Sequence, residues 1–449
     1  MARVIAFGAT IYLARVLGVG GYGVVALAAA VTLYLAQFAD FGVETLGIRE
    51  VAEDPEGVRD RAPSILTARL LIAAGLIIVL LPVALLALPQ PEGAVIAAYS
   101  LTLLPIALST RWVHLGLESA RPVGLARTLG ESVMILLVLV LVRRSGDIGS
   151  VPLAQFVGES TAVLLLLLLL ARRGMRLRVS WDPSRVGPVF RRAWPLVAHG
   201  LLGLLIFNSD LVFLRLFRDL ASVGHYAAGY TLISFLLNLG VAYGMALLPT
   251  MTRLGARTDG ERALYHTAQA QVFAAGFPIA LGGALLAVEL IRQVFGLSYL
   301  PAGAALEILI WSIPIALFRN VAVAALVARN RQDQVLRTTT GSTVLNLILN
   351  VLLIPRFGIL GAAWATVATE LLRTVLALRF VAEEGLPFVP FARLIRTLVS
   401  GLAMVALLVV VRPANLWVAI ALGGIAYLAV LSLLGGVQFR RGQLPALRV

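Results

Sequence analysis

Long apolar runs separated by short polar turns occupy almost the whole chain. A membrane-spanning helix needs about 20 predominantly apolar residues, and the runs give fourteen candidate spans, of which the first is too short and is expected to be a truncated helix. The pattern therefore predicts an all-α integral membrane protein with about fourteen transmembrane helices. The predicted spans, numbered 1 to 14 in chain order, lie near residues 3–17, 22–45, 65–89, 93–117, 123–143, 150–171, 194–217, 222–250, 267–291, 303–327, 337–355, 359–381, 394–412 and 415–436.

The longest polar interruption covers residues 172–192 and carries seven arginines between two apolar spans. Because arginine crosses a bilayer only at high cost, we expect this segment to stay on the cytoplasmic side as a hinge loop. The predicted domains are a six-helix lobe at residues 1–171, the hinge at 172–193 and a second six-helix lobe at 194–381. Two extra transmembrane helices at 394–436 and a cytoplasmic tail at 437–449 complete the chain.

Composition and charge agree with a multi-pass protein of the cytoplasmic membrane. Hydrophobic residues make up 60% of the chain and charged residues 13%, far from the values of a soluble domain. The net charge of +14 comes from arginines at the ends of apolar runs, which the positive-inside rule explains without nucleic acid. The same rule predicts that both termini are cytoplasmic. Cysteine is absent and the four histidines are scattered, so no cofactor or metal site is predicted.

The two halves of the chain repeat each other. Pro105-Ile106-Ala107-Leu108 in span 4 recurs as Pro314-Ile315-Ala316-Leu317 in span 10, and the stretch that begins at Arg127 recurs loosely at Arg337. The offset grows from 200 near the first span to 211 near span 12, as a duplication with small insertions requires. Each unit holds six spans, an even number, so the repeats are expected to be parallel, with a substrate site between two halves.

Several short motifs, in order and at regular spacing, carry a resemblance to a known family. They are the stretches at residues 14–18, 22–23, 39–43, 49–52, 223–227 and 345–363. With these motifs the chain resembles the oligosaccharide flippases of polysaccharide biosynthesis, within the multidrug/oligosaccharidyl-lipid/polysaccharide exporter superfamily. The resemblance implies a MATE-like fold of two six-helix lobes plus two C-terminal helices. It also implies a carrier that moves a polyprenyl-diphosphate-linked oligosaccharide to the outer leaflet by alternating access.

Other functions remain open at this point. Lipid II flippases share the opening motif, but they typically add an arginine pair inside span 2, where this chain has Gln37 and Phe38. Cation-coupled multidrug exporters of the same fold usually have twelve spans, so spans 13 and 14 favour the lipid-linked branch. A membrane-embedded polysaccharide polymerase or glycosyltransferase would need a sizeable loop or an acidic metal-binding cluster, and neither is present. The protein is therefore not expected to be an enzyme.

Acidic residues within the spans are candidates for gating or for coupling to H+ or Na+, because buried charge is costly in a membrane. Asp40 and Glu44 lie one helical turn apart at the end of span 2, as a solvated helix end or as a gate latch. Asp210 in span 7 has only Arg215 near it in sequence, which favours a cation or proton site. Glu159 and Glu370 occupy matching positions in spans 6 and 12.

Arginine is well suited to hold a diphosphate, because its planar fork donates two hydrogen bonds at once. Arg111 and Arg319 follow the repeated Pro-Ile-Ala-Leu segment in spans 4 and 10, and Arg3 in span 1 is a third candidate. We expect these three to contact the substrate. The alternative is that Arg111 pairs with Glu118 and that Arg319 extends to the cytoplasmic interface. Membrane lipids and a polysaccharide polymerase or glycosyltransferase are the other expected partners.

Overall fold

The computed structural model describes residues 2–175, 183–256, 258–411, 415–438 and 446–447. Within these ranges the chain folds into eighteen α-helices joined by short turns, and two-residue strands pair antiparallel near the C-terminus. The elements are α1 Ala2–Asp40, α2 Val43–Glu53, α3 Val58–Ala87, α4 Glu92–Ser100, α5 Leu103–Ala107, α6 Arg111–Gly116, α7 Ala120–Leu141, α8 Ser150–Arg172, α9 Pro183–Phe217, α10 Leu220–Leu254, α11 Asp259–Leu285, α12 Ala287–Val294, α13 Pro301–Leu309, α14 Ser312–Ala328, α15 Gln332–Phe357, α16 Ile359–Glu383, α17 Ile395–Val411, α18 Leu416–Leu433, β1 Val437–Gln438 and β2 Ala446–Leu447.

Among the described residues, eleven helical segments are long and apolar enough to cross a membrane, and α17 is a shorter apolar helix. The first segment, Ile5–Glu53, covers two predicted spans, because α1 continues past a break at Gly18. Gly18 has φ 69° and ψ 176°, a conformation that favours glycine and interrupts the helical backbone. The predicted all-α multi-span fold is confirmed, and the predicted number of fourteen helices is approximate.

Span 4 and span 10 are both broken at the position that their prolines dictate. A proline ring collides with the carbonyl group four residues earlier, which is Leu101 for Pro105 and Ile310 for Pro314. Helix α4 ends at Ser100, just before the first of these positions, and α13 ends at Leu309, just before the second. The repeated prolines therefore produce matching helix breaks in the two halves of the chain.

The chain forms two compact units, Met1–Gly224 and His225–Val449, called unit 1 and unit 2 below. Helix α9 belongs to unit 1, where it packs against α1, α2 and α3. Residues 176–182 of the predicted hinge lie outside the described residues. The domain boundaries expected from the sequence therefore stay a prediction.

Two glycines in unit 1 let helices approach backbone to backbone. A Cβ atom added to Gly23 in α1 would overlap the carbonyl oxygen of Leu220, and one added to Gly224 would overlap that of Val19. Both positions therefore require glycine. The start of α10 is held directly against the turn that follows the Gly18 break.

Candidate functional site

Unit 1 contains two neighbouring cavities of about 530 and 360 Å³. Both are lined by Leu33, Ser109, Arg111 and Glu159, so they meet along one wall. We refer to them together as the polar cleft of unit 1. Its lining includes three arginines and four acids: Arg69, Arg111, Arg127, Asp40, Glu44, Glu131 and Glu159. Such a concentration of charge inside an apolar helical unit marks a candidate functional site.

Arg111 lies at the start of α6, directly after the break that follows α5. Its Nε and Nη2 atoms both donate to Oε1 of Glu44 on α2, with a distance of 2.8 Å from Nε. The structure thus pairs Arg111 with Glu44 rather than with Glu118. Helix α6 ends at Gly116 and Glu118 takes a left-handed conformation with φ 55°, so the helical face assumed from the sequence does not extend that far.

Asp40 is the last residue of α1, and the chain turns sharply after it. Phe41 and Gly42 have φ values of 49° and 71°, so α2 starts afresh at Val43. Asp40 and Glu44 therefore belong to two different helices, whereas the sequence suggested one continuous helix. They remain close, because the backbone N–H of Glu44 donates to Asp40 Oδ2 at 3.3 Å.

Arg69 on α3 is the main residue of the cleft that sequence analysis missed. Its side chain is 3% exposed, and its Nη2 atom lies 2.9 Å from Asp40 Oδ1. It also donates to the carbonyl oxygens of Ile106 and Ser109, both at 3.1 Å. Ile106 lies in α5 and Ser109 in the break between α5 and α6, so Arg69 joins the end of α1 to the broken helix that carries Arg111. An arginine inside an apolar run was the signal that could have identified it.

The opposite wall of the cleft is formed by α7 and α8. Arg127 Nε lies 2.7 Å from Glu131 Oε1, a pair that residues four apart on one helix can form. Glu159 accepts a hydrogen bond of 3.1 Å from Gln155 Nε2. The two helices come close at Gly130, where an added Cβ would lie 2.6 Å from the carbonyl oxygen of Gly158.

In unit 2 the structure brings together two residues that the sequence singled out separately. Arg319 on α14 and Glu370 on α16 form an ion pair with a distance of 3.0 Å from Nε to Oε2. The two side chains are 9% and 1% exposed. Arg373 adds a longer contact of 3.6 Å to Glu370 Oε1. Arg319 is therefore engaged in a buried pair and does not extend to an interface.

The remaining candidates fall elsewhere. Asp210 is fully buried on α9, while Arg215, the cation nearest to it in sequence, pairs with Glu92 of α4 at 2.8 Å. The side chain of Arg3 lies outside the described residues. Among the side chains that are described, no group of three or more histidine, aspartate or glutamate residues could hold a metal ion.

A second polar network, also missed, anchors the segment between α16 and α17. Arg329 Nη2 lies 2.5 Å from Glu261 Oε2, and both side chains are almost fully buried. Gln269 Oε1 accepts a hydrogen bond of 2.8 Å from the backbone N–H of Val389. His266 makes a contact of 3.1 Å from Nε2 to the carbonyl oxygen of Pro387. Residues 387–389 are thus tied to α11, the helix that also packs on α17.

Comparison with known proteins places the chain in a family. The sequence model of the family described as "Polysaccharide biosynthesis protein" matches residues 1–255, more than half of the chain. The chain belongs to this polysaccharide biosynthesis family. The membership agrees with the resemblance drawn from the motifs.

Two curated relatives from Haloferax volcanii match this family member over about half of its length. The "Probable low-salt glycan biosynthesis flippase Agl15" is 24% identical over 224 residues, which cover 47% of this chain and 48% of the relative. The "Probable flippase AglR" is 26% identical over 243 residues, which cover 52% of this chain and 50% of the relative. The chain thus spans about half the length of the curated relatives it matches.

Solved structures share the fold over much greater lengths. The "Lipid II flippase MurJ, inward closed conformation" superimposes with a TM-score of 0.82 and 13% identity, covering 96% of each chain. An inward-facing multidrug resistance MATE family transporter of the MOP superfamily has a TM-score of 0.67 and 15% identity, covering 86% of this chain and 95% of its own. At these identities the likeness shows the fold alone, and the predicted MATE-like fold is confirmed.

Proposed function

We propose that this polysaccharide biosynthesis family member carries a polyprenyl-diphosphate-linked oligosaccharide across the cytoplasmic membrane by alternating access. The observation that supports this most directly is the polar cleft of unit 1, which places Arg111 and Arg127 on the walls of cavities inside a membrane-spanning helical unit. The flippase names of the two curated relatives and the transporter fold are consistent with it.

The chemistry of the substrate explains the need for these arginines. A diphosphate carries about two negative charges, and a cavity of low dielectric constant accepts them only if cationic groups face them. Arginine satisfies this need with a fork of fixed geometry that matches phosphate oxygens. We infer that Arg111 contacts the diphosphate, while direct contacts from Arg3 and Arg319 stay predictions.

Several finer features belong to the same proposal. We place both termini and the arginine-rich segment around Trp181 in the cytoplasm, because the arginine-rich turns alternate along the chain. Movement would be coupled to H+ or Na+ or to gating through the acidic residues of the spans: Asp40, Glu44, Glu159, Asp210 and Glu370. The substrate leaves unchanged, so no catalytic residue is proposed. A polysaccharide polymerase or glycosyltransferase would receive it or deliver it.

Transport is tested directly with purified protein in proteoliposomes. A polyprenyl-diphosphate oligosaccharide with a fluorescent label on its sugar is placed in both leaflets, and a membrane-impermeant quencher reports how fast labelled lipid becomes accessible. We expect the wild-type protein to increase the accessible fraction and Arg111→Gln to lose most of that increase. Arg292→Gln is the matched control, because Arg292 is an exposed arginine paired with Glu289 at 2.7 Å outside the cleft.

A deletion strain provides a second readout. We expect lipid-linked oligosaccharide to accumulate on the inner leaflet when the gene is lost. Normal polysaccharide export together with sensitivity to cationic dyes would contradict the proposal and assign the protein to drug export. Reporter fusions at Trp181 and at the C-terminal Val449 test the orientation separately, since an external reporter at either position would overturn it.

A further inference from the structure

The ion pairs of the polar cleft differ greatly in exposure. In the pair of Arg111 with Glu44 the side chains are 45% and 37% exposed, and in the pair of Arg127 with Glu131 they are 59% and 24% exposed. The guanidinium of Arg69, by contrast, is almost completely buried against Asp40. The cleft therefore contains two exposed pairs and one buried pair.

Exposure decides which pair can open during a transport cycle. Breaking an exposed ion pair shifts an equilibrium by only about twofold to fivefold, because water solvates the separated charges. Removing a partner from a buried pair shifts an equilibrium by about a hundredfold or more, because the remaining charge is left buried with neither its partner nor water to stabilise it. Arg111 and Arg127 can therefore exchange their partners readily, whereas Arg69 keeps Asp40.

The balance of charge indicates what the exchange is for. The three arginines of the cleft face four acids, so an entering anion meets no free excess of positive charge. Glu44 presents one oxygen to both Nε and Nη2 of Arg111, a contact that a phosphate oxygen also makes. The carboxylate thus occupies the position that an anionic ligand would take.

We propose that Arg111 and Arg127 form a diphosphate site by ligand exchange, in which Glu44 and Glu131 occupy the two arginines when the site is empty. The substrate diphosphate displaces both carboxylates, and their return to the arginines promotes its release. This inference rests on the proposed function and adds Arg127 as a second substrate contact. It assigns Glu44 and Glu131 the role of internal competitors.

The exchange predicts a change in diphosphate affinity that is opposite to the change predicted by a purely structural role of Glu44. If Glu44 only held Arg111 in place, Glu44→Gln would weaken binding of a diphosphate. As a competitor, its removal tightens binding by about twofold to fivefold, the range expected for an exposed pair. Glu131→Gln is expected to act in the same direction through Arg127.

Glu159→Gln is the matched control within the same cleft. It changes an acid of the same cleft to its amide, as Glu44→Gln does, but the described hydrogen bond of Glu159 comes from the amide of Gln155, so no arginine loses a carboxylate that it hydrogen-bonds. A general electrostatic gain would therefore appear equally in both variants. A gain from loss of a competitor is larger in Glu44→Gln and disappears when Arg111 is also changed to glutamine.

Calorimetric titration of the purified full-length protein in detergent measures these affinities, at low ionic strength so that exposed charges are least screened. Farnesyl diphosphate is the lipid probe, and inorganic diphosphate tests whether a free anion is the ligand. We expect both probes to rank the variants in the same order, with farnesyl diphosphate bound more tightly. Binding of inorganic diphosphate alone would overturn the assignment to a lipid headgroup.

Size-exclusion chromatography of each variant shows whether it is folded, and the pair of Arg127 with Glu131 provides the same test if a variant of the first pair fails to fold. Equal affinity gains in Glu44→Gln and Glu159→Gln would overturn the exchange. So would weaker binding by Glu44→Gln and Glu131→Gln. If neither probe binds to wild-type protein that still flips the labelled lipid, this inference alone is overturned. Absence of flipping overturns the proposed function.

Discussion

The two units use an arginine that follows the Pro-Ile-Ala-Leu segment, and a glutamate at a matching position, in opposite ways. In unit 2, Arg319 and Glu370 pair directly at 3.0 Å within a buried environment. In unit 1, Arg111, which follows the same segment one residue later, pairs with Glu44, and Glu159 accepts from Gln155; both line the polar cleft. The same residue types thus form a buried pair in one unit and line a cleft in the other.

The helices that carry Glu159 and Glu370 are also held to their preceding helices differently. Helices α7 and α8 approach through Gly130 and Gly158, where a Cβ added to either glycine would lie within 2.8 Å of the carbonyl oxygen of the other. In the other pair, α15 and α16, Asn346 Nδ2 donates to Thr369 Oγ1 at 3.4 Å, and Asn350 Nδ2 donates to Asn346 Oδ1 at 3.1 Å. Close packing of small residues and hydrogen bonds between polar side chains are both used by helices in membranes.

The largest effect is expected for Glu370→Gln, which leaves Arg319 and Arg373 buried without their carboxylate. Removing one partner of a buried pair costs about 3–5 kcal/mol. We expect thermal unfolding in detergent to occur at a markedly lower temperature. The matched change Glu159→Gln in unit 1 should have a much smaller effect, because Glu159 accepts from an amide. Equal losses of stability would remove the distinction between the units.

An intermediate effect is expected for the glycines that the repeat aligns. Gly130→Ala places a methyl group 2.6 Å from the Gly158 carbonyl, and overpacking of this kind costs about 1–3 kcal/mol. Gly341 is the counterpart in α15, where the nearest atom to an added Cβ is Leu376 Cδ1 at 4.0 Å. Gly341→Ala should therefore stabilise the helix by about 0.5–1 kcal/mol. Thermal unfolding of both variants tests this, and destabilisation by Gly341→Ala would contradict it.

The smallest effect on stability is expected for Arg111→Gln. Its exposed pair with Glu44 contributes at most about 1 kcal/mol, so the protein should remain folded and accumulate in the membrane. Transport of the lipid-linked oligosaccharide should nevertheless be lost. Arg319→Gln provides the contrast, because it should lower the yield of folded protein. Normal stability of Arg319→Gln together with lost transport would instead favour Arg319 as a substrate contact.

Features set by local sequence were the most predictable. Hydropathy located the spans, and the prolines of the repeat marked the helix breaks near Leu101 and Ile310, because both effects act within a few residues. The partner of Arg111 was not predictable in this way. Glu44 lies 67 residues away, and only the packing of α2 beside α6 brings it into contact.

Buried polar residues inside apolar runs were the other gap. Arg69 appeared in the sequence as one charge within a long hydrophobic span, and nothing nearby in the chain indicated its acceptors. Its acceptors come from α1 and from the break between α5 and α6. Similarly, Arg215 is the cation nearest to Asp210 in sequence, but the side chain of Arg215 reaches Glu92 on another helix.

The backbone contact made by Gly23 and Gly224 has a consequence for the entropy of folding. Long side chains lose up to about 2 kcal/mol of rotamer entropy when a contact orders them, and they regain it when the contact opens. Glycine has no rotamers to lose. Where α1 meets the start of α10, the backbones pack closely without ordering a side chain at these two positions, so this contact forms with no loss of side-chain entropy there.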